Sequence, residues 1–264
     1  MFFKNKVVWI TGASSGIGEA LTYEFAKQGA KLIISSNREE ELKHVAEMCY
    51  QIGAECYIQF LDITEIDKMA SITEQLIQKF EKIDVLVNNA GISQRSYVIE
   101  TPLEIDRRIM EIDYFGTIAL TKTVLPYMIK NGGGYIAATS SISGLFGFPL
   151  RSAYSAAKHA LHGFFETLRS EVFQHNIKVL IAFPGRVKTN ISLHALTKDG
   201  TAHGKMDEGQ NTGISAEKCA RKYVNAIQKD KKEVLIGSTE LLMVYIHKYL
   251  PGLFYKLARK INPT

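Results

Sequence analysis

One short run near the N-terminus limits the architecture more than any other. An apolar segment, residues 6–11, ends in Thr11-Gly12-Ala13-Ser14-Ser15-Gly16-Ile17-Gly18 and passes straight into a helix-period segment, residues 18–28, closed by Gly29. Glycine lets a backbone turn sharply and lets a ligand approach the amide groups closely. The N-terminus of the following helix adds unpaired N–H donors and the positive end of its dipole. The spacing is G-x-x-x-G-x-G rather than the more general G-x-G-x-x-G. Ser14 and Ser15 add hydroxyl donors. A strand, a glycine turn and a helix in this order predict a pyrophosphate cradle at the carboxyl end of a buried parallel strand.

The rest of the chain repeats the pattern. Strand-like runs at 31–35, 55–60, 84–88, 134–139, 178–183 and 234–236 alternate with helical segments at 38–51, 65–80, 107–128, 153–175 and 216–228. Short strands separated by helices of this length form right-handed crossovers and a parallel sheet. The fold class predicted is therefore α/β, a doubly wound parallel sheet in a three-layer α/β/α arrangement. The 264 residues, 46% of them apolar, suit one core, so residues 1–264 read as a single domain. Within it, 186–214 reads as a substrate lid, punctuated by Gly200, Gly204, Gly209 and Gly213. Residues 239–264 read as a short helical tail.

The tip of the second strand bears on the ligand. A carboxylate there would hold an adenosine ribose and indicate NAD. The sequence instead runs Ser35-Ser36-Asn37-Arg38. An arginine can pair with a 2′-phosphate, and Glu39, Glu40 and Glu41 fall in the first turn of the next helix, where they suit its dipole. NADP(H) is favoured, with NAD(H) as the alternative.

Bulk composition excludes other classes. The net charge is only +5 and the basic residues are scattered, so no nucleic-acid partner is expected. Cys49, Cys56 and Cys219 form no disulfide framework or zinc pattern, and the opening residues are too short for a signal or a spanning helix. A cytoplasmic location is the expectation.

Tyr154 and Lys158 stand four residues apart on one predicted helix and share a face. A phenol ordinarily loses its proton near pH 10, and a neighbouring ammonium favours the phenolate, which makes the pair a sensible general acid and base. The two do not stand alone. Thr11–Gly18, Asp62, Asn88-Asn89-Ala90-Gly91, Ser141, Tyr154, Lys158 and Pro184-Gly185 occur in order over nearly the whole chain, with Ser141 13 residues before Tyr154. In these motifs the sequence resembles the short-chain dehydrogenase/reductase family, Rossmann-type oxidoreductases that interconvert a carbonyl and an alcohol.

The resemblance implies the following roles. Gly12, Ser14, Ser15, Gly16, Ile17 and Gly18 wrap the pyrophosphate. Asn37 and Arg38 face the 2′-phosphate, and Asp62 and Ile63 the adenine. Asn89 and Ala90 sit beside the ribose. Ser141 binds the substrate oxygen, Tyr154 transfers the proton and also contacts the cofactor, and Lys158 also holds the nicotinamide ribose. Pro184, Gly185, Val187 and Thr189 pass over the nicotinamide. Asp113 stands where many members carry an asparagine that holds a water behind the lysine. One reading is a tolerated near-isostere that keeps the acceptor role. The other is an altered pH optimum, from a negative charge near Lys158.

Two apolar stretches flank these residues, Ser143-Gly144-Leu145-Phe146-Gly147-Phe148-Pro149-Leu150 and 191–196. They point either to a small hydrophobic carbonyl or alcohol substrate, of lipid-, retinoid- or steroid-like character, or to ordinary core packing. The tail spaces Leu242, Tyr245, Tyr249, Leu253 and Leu257 near a helical period, with His247, Lys248, Lys256, Arg259 and Lys260 between them, and Pro251-Gly252 should split it in two. Packing on the pocket or on another subunit is preferred, with a peripheral membrane contact as the alternative. A homodimer or homotetramer is expected. His159 and His162 show no second ligand cluster, so no metal is expected. An NADP(H)-binding sensor or scaffold of low turnover is the alternative function.

Overall fold

The computed structural model describes residues 1–259; Lys260 and the end of the tail lie outside the described residues. Nine strands are present among them: β1 (Val7–Thr11), β2 (Lys31–Ser35), β3 (Cys56–Ile58), β4 (Val85–Asn88), β5 (Gly134–Thr139), β6 (Ile177–Pro184), β7 (Val187–Lys188), β8 (Ile214–Ser215) and β9 (Glu233–Ile236). Ten α-helices join them: α1 (Gly16–Lys27), α2 (Glu39–Gln51), α3 (Ile66–Phe80), α4 (Leu103–Met110), α5 (Gly116–Lys130), α6 (Ser152–Glu171), α7 (Glu208–Asn211), α8 (Ala216–Gln228), α9 (Leu242–Tyr249) and α10 (Pro251–Ala258).

Seven strands form one parallel sheet in the order β3-β2-β1-β4-β5-β6-β9, while β7 and β8 pair separately. The chain winds outward one way from β1 and the other way from β4. The point of reversal opens a crevice beyond the carboxyl ends of these two strands. The strands are continuously apolar because both faces of the sheet are covered. Side chains alternate between the two sides. Val8 and Ile10 pack with Leu21, Phe25, Leu42 and Tyr223 from α1, α2 and α8. Val7 and Trp9 pack with Met69, Leu120, Leu161 and Phe165 from α3, α5 and α6.

Three segments depart from the sequence pattern. The single helix expected at 107–128 begins earlier, after Pro102, and is interrupted: α4 leads into a π-helical turn at Glu111–Phe115 before α5 resumes. A π turn inserts one extra residue and turns the face that follows it, a local change that the apolar pattern of 107–128 does not mark. Gly116, just after it, packs so closely on Ile63 that a side chain has no room. The helix expected at 153–175 stops at Glu171 and is followed by a 3-10 turn, Phe173–His175, that Asn176 ends in a left-handed conformation.

The tail splits at Pro251 as expected, but its faces are the reverse of those the spacing suggested. Leu242, Tyr245, Tyr249 and Leu253 are exposed. The inward contacts come from Phe254, Met243, Val244, Ile246 and Ala258, which pack with Ile142 and Phe146. The tail therefore does pack on the loop behind the pocket, through a different stripe. Among the described residues no helix is long and apolar enough to cross a membrane. Phe254 is 2% exposed and stacks on Phe146 at 5.0 Å. We expect Phe254→Ala to cost about 3–5 kcal/mol locally, read as faster proteolysis within α9–α10 and a lower melting temperature.

Candidate active site

The glycine turn is held by a small network at the ends of β1 and β4. Thr11 Oγ1 accepts from the Asn89 and Ala90 amides at 3.0 and 3.1 Å. Asn89 Nδ2 donates to the Thr11 and Gly12 carbonyls, both at 3.3 Å, and Asn89 Oδ1 accepts from Thr139 Oγ1 at 3.2 Å. The Asn89 amide thus ties β1, β4 and β5 together. Gly12 and Gly16 hold positive φ, +63° and +61°, where other residues are strained. Gly18 does not reach the cavity wall; it sits behind the turn, where any side chain would strike the Gly12 carbonyl. That is a helix-packing role rather than direct contact with a pyrophosphate.

The turn opens on one large cavity of about 1040 Å³, at the top of the range of roughly 300–1,000 Å³ usual for ligand sites. Its wall includes Gly12, Ser14, Ser15, Gly16, Ile17, Asn37, Arg38, Asp62, Ile63, Asn89, Ala90, Ser141, Tyr154, Lys158, Pro184, Gly185, Val187 and Thr189. At one end Ser14 Oγ bonds Ser36 Oγ at 2.9 Å, and Ser36 Oγ accepts from the Arg38 amide at 3.2 Å. Asn37 Nδ2 is turned toward Asp62, at 3.4 Å. For Asp62 burial pushes the carboxyl up, but the bonds from Thr64 and Asn37 and the charge of Arg108 outweigh it and hold it below the usual range. Glu39 and Glu40 pair with Lys43 on the exposed side of α2. Ser36, Arg107 and Arg108 also line this end. Ser36 could have been suspected from its place at the β2 tip; the two arginines are brought in only by the packing of α4.

The other end holds the reactive groups. Ser141 caps a short turn, accepting from the Ser143 amide at 3.1 Å and donating to the Pro184 carbonyl at 3.4 Å. Tyr154 and Lys158 project from one face of α6, with Lys158 Nζ 5.5 Å from the centre of the Tyr154 ring. Lys158 is buried and donates to the Thr139 carbonyl at 3.3 Å. Its Nζ lies 3.0 Å from Asp113 Oδ2, and the Asp113 side chain is wholly inaccessible. Asp113 Oδ1 accepts from the Ile92 amide at 2.8 Å. The π turn presents Asp113 inward at this depth. Asp113 does not line the cavity; it stands behind Lys158. Burial pushes the Asp113 carboxyl up against the opposing pull of Lys158. Burial alone would pull the Lys158 ammonium down, but Asp113 and Tyr154 together outweigh it and push it up.

The apolar loop divides its side chains. Phe148 lines the cavity, whereas Phe146 turns into the core. Within 186–214, Arg186, Asn190, Ile191, His194, Asp207 and Gln210 are among the residues that line the cavity, and Met243 of α9 also reaches it. Sequence reasoning missed Arg95, Arg151 and Asp207. They are far apart in the chain and meet only through folding: the Arg95 guanidinium forks onto Asp207, and Arg151 Nη2 lies 2.8 Å from the same carboxylate. His162 is not as isolated as expected. Its Nε2 is 3.2 Å from Glu233 and 3.6 Å from Glu166, a partly exposed group of three possible ligands that does not line the cavity.

Comparison with known proteins identifies the family and the fold. The family model of the short chain dehydrogenases matches residues 6–199. The bovine (Bos taurus) dehydrogenase/reductase SDR family member 7B is 39% identical over 264 residues, covering 97% of this chain and 81% of that protein. A Drosophila melanogaster dehydrogenase/reductase SDR family protein 7-like is 36% identical, covering 97% and 80%. Among solved structures, a short-chain dehydrogenase from Streptomyces avermitilis superposes with a TM-score of 0.82 at 28% identity, over 98% of this chain and 99% of that one. A Burkholderia phymatum short chain dehydrogenase/reductase in complex with NAD gives 0.85 at 22% identity, over 100% and 98%. The chain belongs to the short-chain dehydrogenase/reductase family, and is an oxidoreductase of that family with its Rossmann-type nucleotide-binding fold.

The Asp113–Lys158 pair makes the family departure testable. With Asp113→Asn, burial is no longer opposed by a carboxylate and the Lys158 ammonium falls in pKa. If activity needs that ammonium, the alkaline limb of kcat/KM against pH should move down by about one unit. Activity at pH 7 should stay within about tenfold. In the wild type the raised Lys158 contributes stability that is present at neutral pH. It is lost as pH rises from the ordinary lysine value through the folded one. An unchanged alkaline limb in Asp113→Asn would show that Asp113 does not set the Lys158 charge.

Proposed function

We propose that this chain is an NADP(H)-dependent carbonyl reductase or alcohol dehydrogenase, with Tyr154 as the group that gives and takes the proton. The observation that carries the reading is the convergence of Ser141, Tyr154 and a buried, ion-paired Lys158 on the cavity that the glycine turn opens. A buried ammonium costs several kcal/mol in desolvation unless paired, and an inert scaffold has no need of one beside a phenol.

The residues fit a dinucleotide. Gly12 and Gly16 leave the turn without side chains, Gly16 and Ile17 at the start of α1 line the cavity, and Arg38 with Ser36 stands at the β2 tip where a 2′-phosphate would fall. The absence of a carboxylate at that tip favours NADP(H) over NAD(H). When bound, the nicotinamide supplies the hydride. In reduction, Ser141 holds the carbonyl oxygen, the Tyr154 hydroxyl donates its proton to that oxygen, and Lys158 stabilises the phenolate left behind. In oxidation the phenolate takes the alcohol proton back. Lys158 also holds the nicotinamide ribose. Phe148, Ile191 and Met243 support a hydrophobic substrate body, and Asn190, His194 and Gln210 give it a polar edge. Residues 186–214 act as the lid.

We expect Tyr154→Phe to lower turnover of hydrophobic ketones or aldehydes by roughly 10²–10⁴-fold while leaving NADPH affinity unchanged. Undiminished turnover would sink the assignment. Parallel titrations should show tighter binding of NADPH than NADH, and Arg38→Ala should erase most of the difference; equal affinities in the wild type would refute the role of Arg38. The assembly expected is a homodimer or homotetramer. A peripheral membrane contact is the second reading. It rests on the outward stripe of Leu242, Tyr245, Tyr249 and Leu253, which lies among Lys248, Lys256 and Arg259. It predicts flotation with anionic liposomes that disappears when the tail is deleted, and no flotation would dismiss it.

A further inference from the structure

Gln94 has no part in the chemistry above, yet it is 0% exposed at a point where three segments meet. The first N–H groups of a helix have no partner inside it. At the start of α6 the N-cap Arg151 supplies no side-chain hydrogen bond to the helix. Gln94, 59 residues away, does so instead: its Oε1 accepts from the Ala153 amide at 2.9 Å. Its Nε2 lies 3.2 Å from Ser152 Oγ, 3.1 Å from Ser96 Oγ and 3.2 Å from Thr101 Oγ1. Tyr154 is the next residue along the helix, so the seat of Ala153 sets the seat of the phenol.

The same loop grips the segment over the cavity. The Arg95 amide donates to the Leu196 carbonyl and the Leu196 amide to the Ser93 carbonyl, both at 2.8 Å. Arg95 Nε lies 3.2 and 3.1 Å from the two oxygens of Asp207, with side-chain exposures of 2% and 4%. Asp207 also accepts from Arg151, directly before α6. One buried carboxylate thus connects the overhanging segment to the loop and to the start of the helix that carries Tyr154. Gln94 and Asp207 hold the two ends of that connection.

We propose that Gln94 and Asp207 are positioning residues that couple the seating of residues 192–207 over the cavity to the placement of Tyr154. This rests on the assignment of Tyr154 as the proton donor. A misplacement near 1 Å can cost about a hundredfold in rate, so the effect belongs in kcat. An amide is suited to the site because it offers an acceptor to Ala153 and two N–H donors to share among the three hydroxyls. A glutamate would keep the acceptor, and the Ser152 hydroxyl can turn to donate to it, while Thr101 Oγ1 stays bonded to the Tyr97 carbonyl and Ser96. A leucine would keep neither.

The test is steady-state kinetics of the full chain with NADPH and a carbonyl substrate, with NADPH affinity measured alongside. Gln94→Leu is expected to lower kcat by about 10–100-fold with NADPH affinity unchanged, and Gln94→Glu to restore most of kcat. Asp207→Asn should lower kcat and raise KM. The double variant should lose no more than the worse single one, because both act through one connection. Wild-type kcat in Gln94→Leu overturns the proposal, as do losses that multiply in the double variant. If Gln94→Leu does not fold, unchanged kcat and KM in Asp207→Asn overturns it. Tyr154→Phe separates the two levels: if it keeps turnover the parent assignment fails, and if it alone loses turnover only the coupling fails.

Discussion

A positive charge held out of water organises the reactive end of this fold. Lys158 Nζ has the Asp113 carboxylate and the Thr139 carbonyl as its partners, and each comes from a different element. Placing Asp113 there requires the π turn between α4 and α5. Placing Thr139 requires the register of β5 against β4 and β6. Placing Lys158 requires α6 to start where it does. An unpaired ammonium at that depth would be costly, so the three elements depend on one another, and Tyr154, one turn before Lys158, takes its position from their agreement.

The cofactor half depends on a second constraint, the close approach of two strand ends. Thr11 and Asn89 bond the backbone of β1 to that of β4 across the point where strand order reverses. That closeness is what excludes side chains at Gly12 and Gly18. The Asn89–Thr139 bond joins this network to the strand whose last carbonyl receives Lys158. The nucleotide end and the reactive end are therefore mechanically continuous, through neutral hydrogen bonds rather than through ion pairs.

Much of this was legible in the chain. The strand–turn–helix at residues 6–28 and the alternation after it gave the doubly wound sheet, because buried parallel strands and their crossover helices leave strong apolar periods. The residues to which the resemblance gave roles fell on one cavity, apart from Gly18 and Asp113. What periodicity could not convey is an irregularity within a helix: one residue inserted at the π turn rotates the helix locally and brings Asp113 inward, and no apolar signal marks the place. Nor could local reading find Gln94, Arg95, Arg151 and Asp207, whose partners are 56 or more residues away in most of the contacts that matter. The tail shows a third limit. Two apolar stripes wind around α9 and α10, and only packing against Phe146 decides which of them is covered.

Hydride transfer at the cavity beside Tyr154 is the reaction proposed for this protein. The most direct measurement is to incubate the protein with NADPH deuterated at nicotinamide C4 and a panel of hydrophobic ketones and aldehydes, and to examine the alcohol products by mass spectrometry. Deuterium bonded to the former carbonyl carbon, falling together with product formation by roughly 10²–10⁴-fold in Tyr154→Phe, is the predicted result. Tight NADPH binding with no deuterium in any product would contradict it and leave a nucleotide-binding protein without turnover.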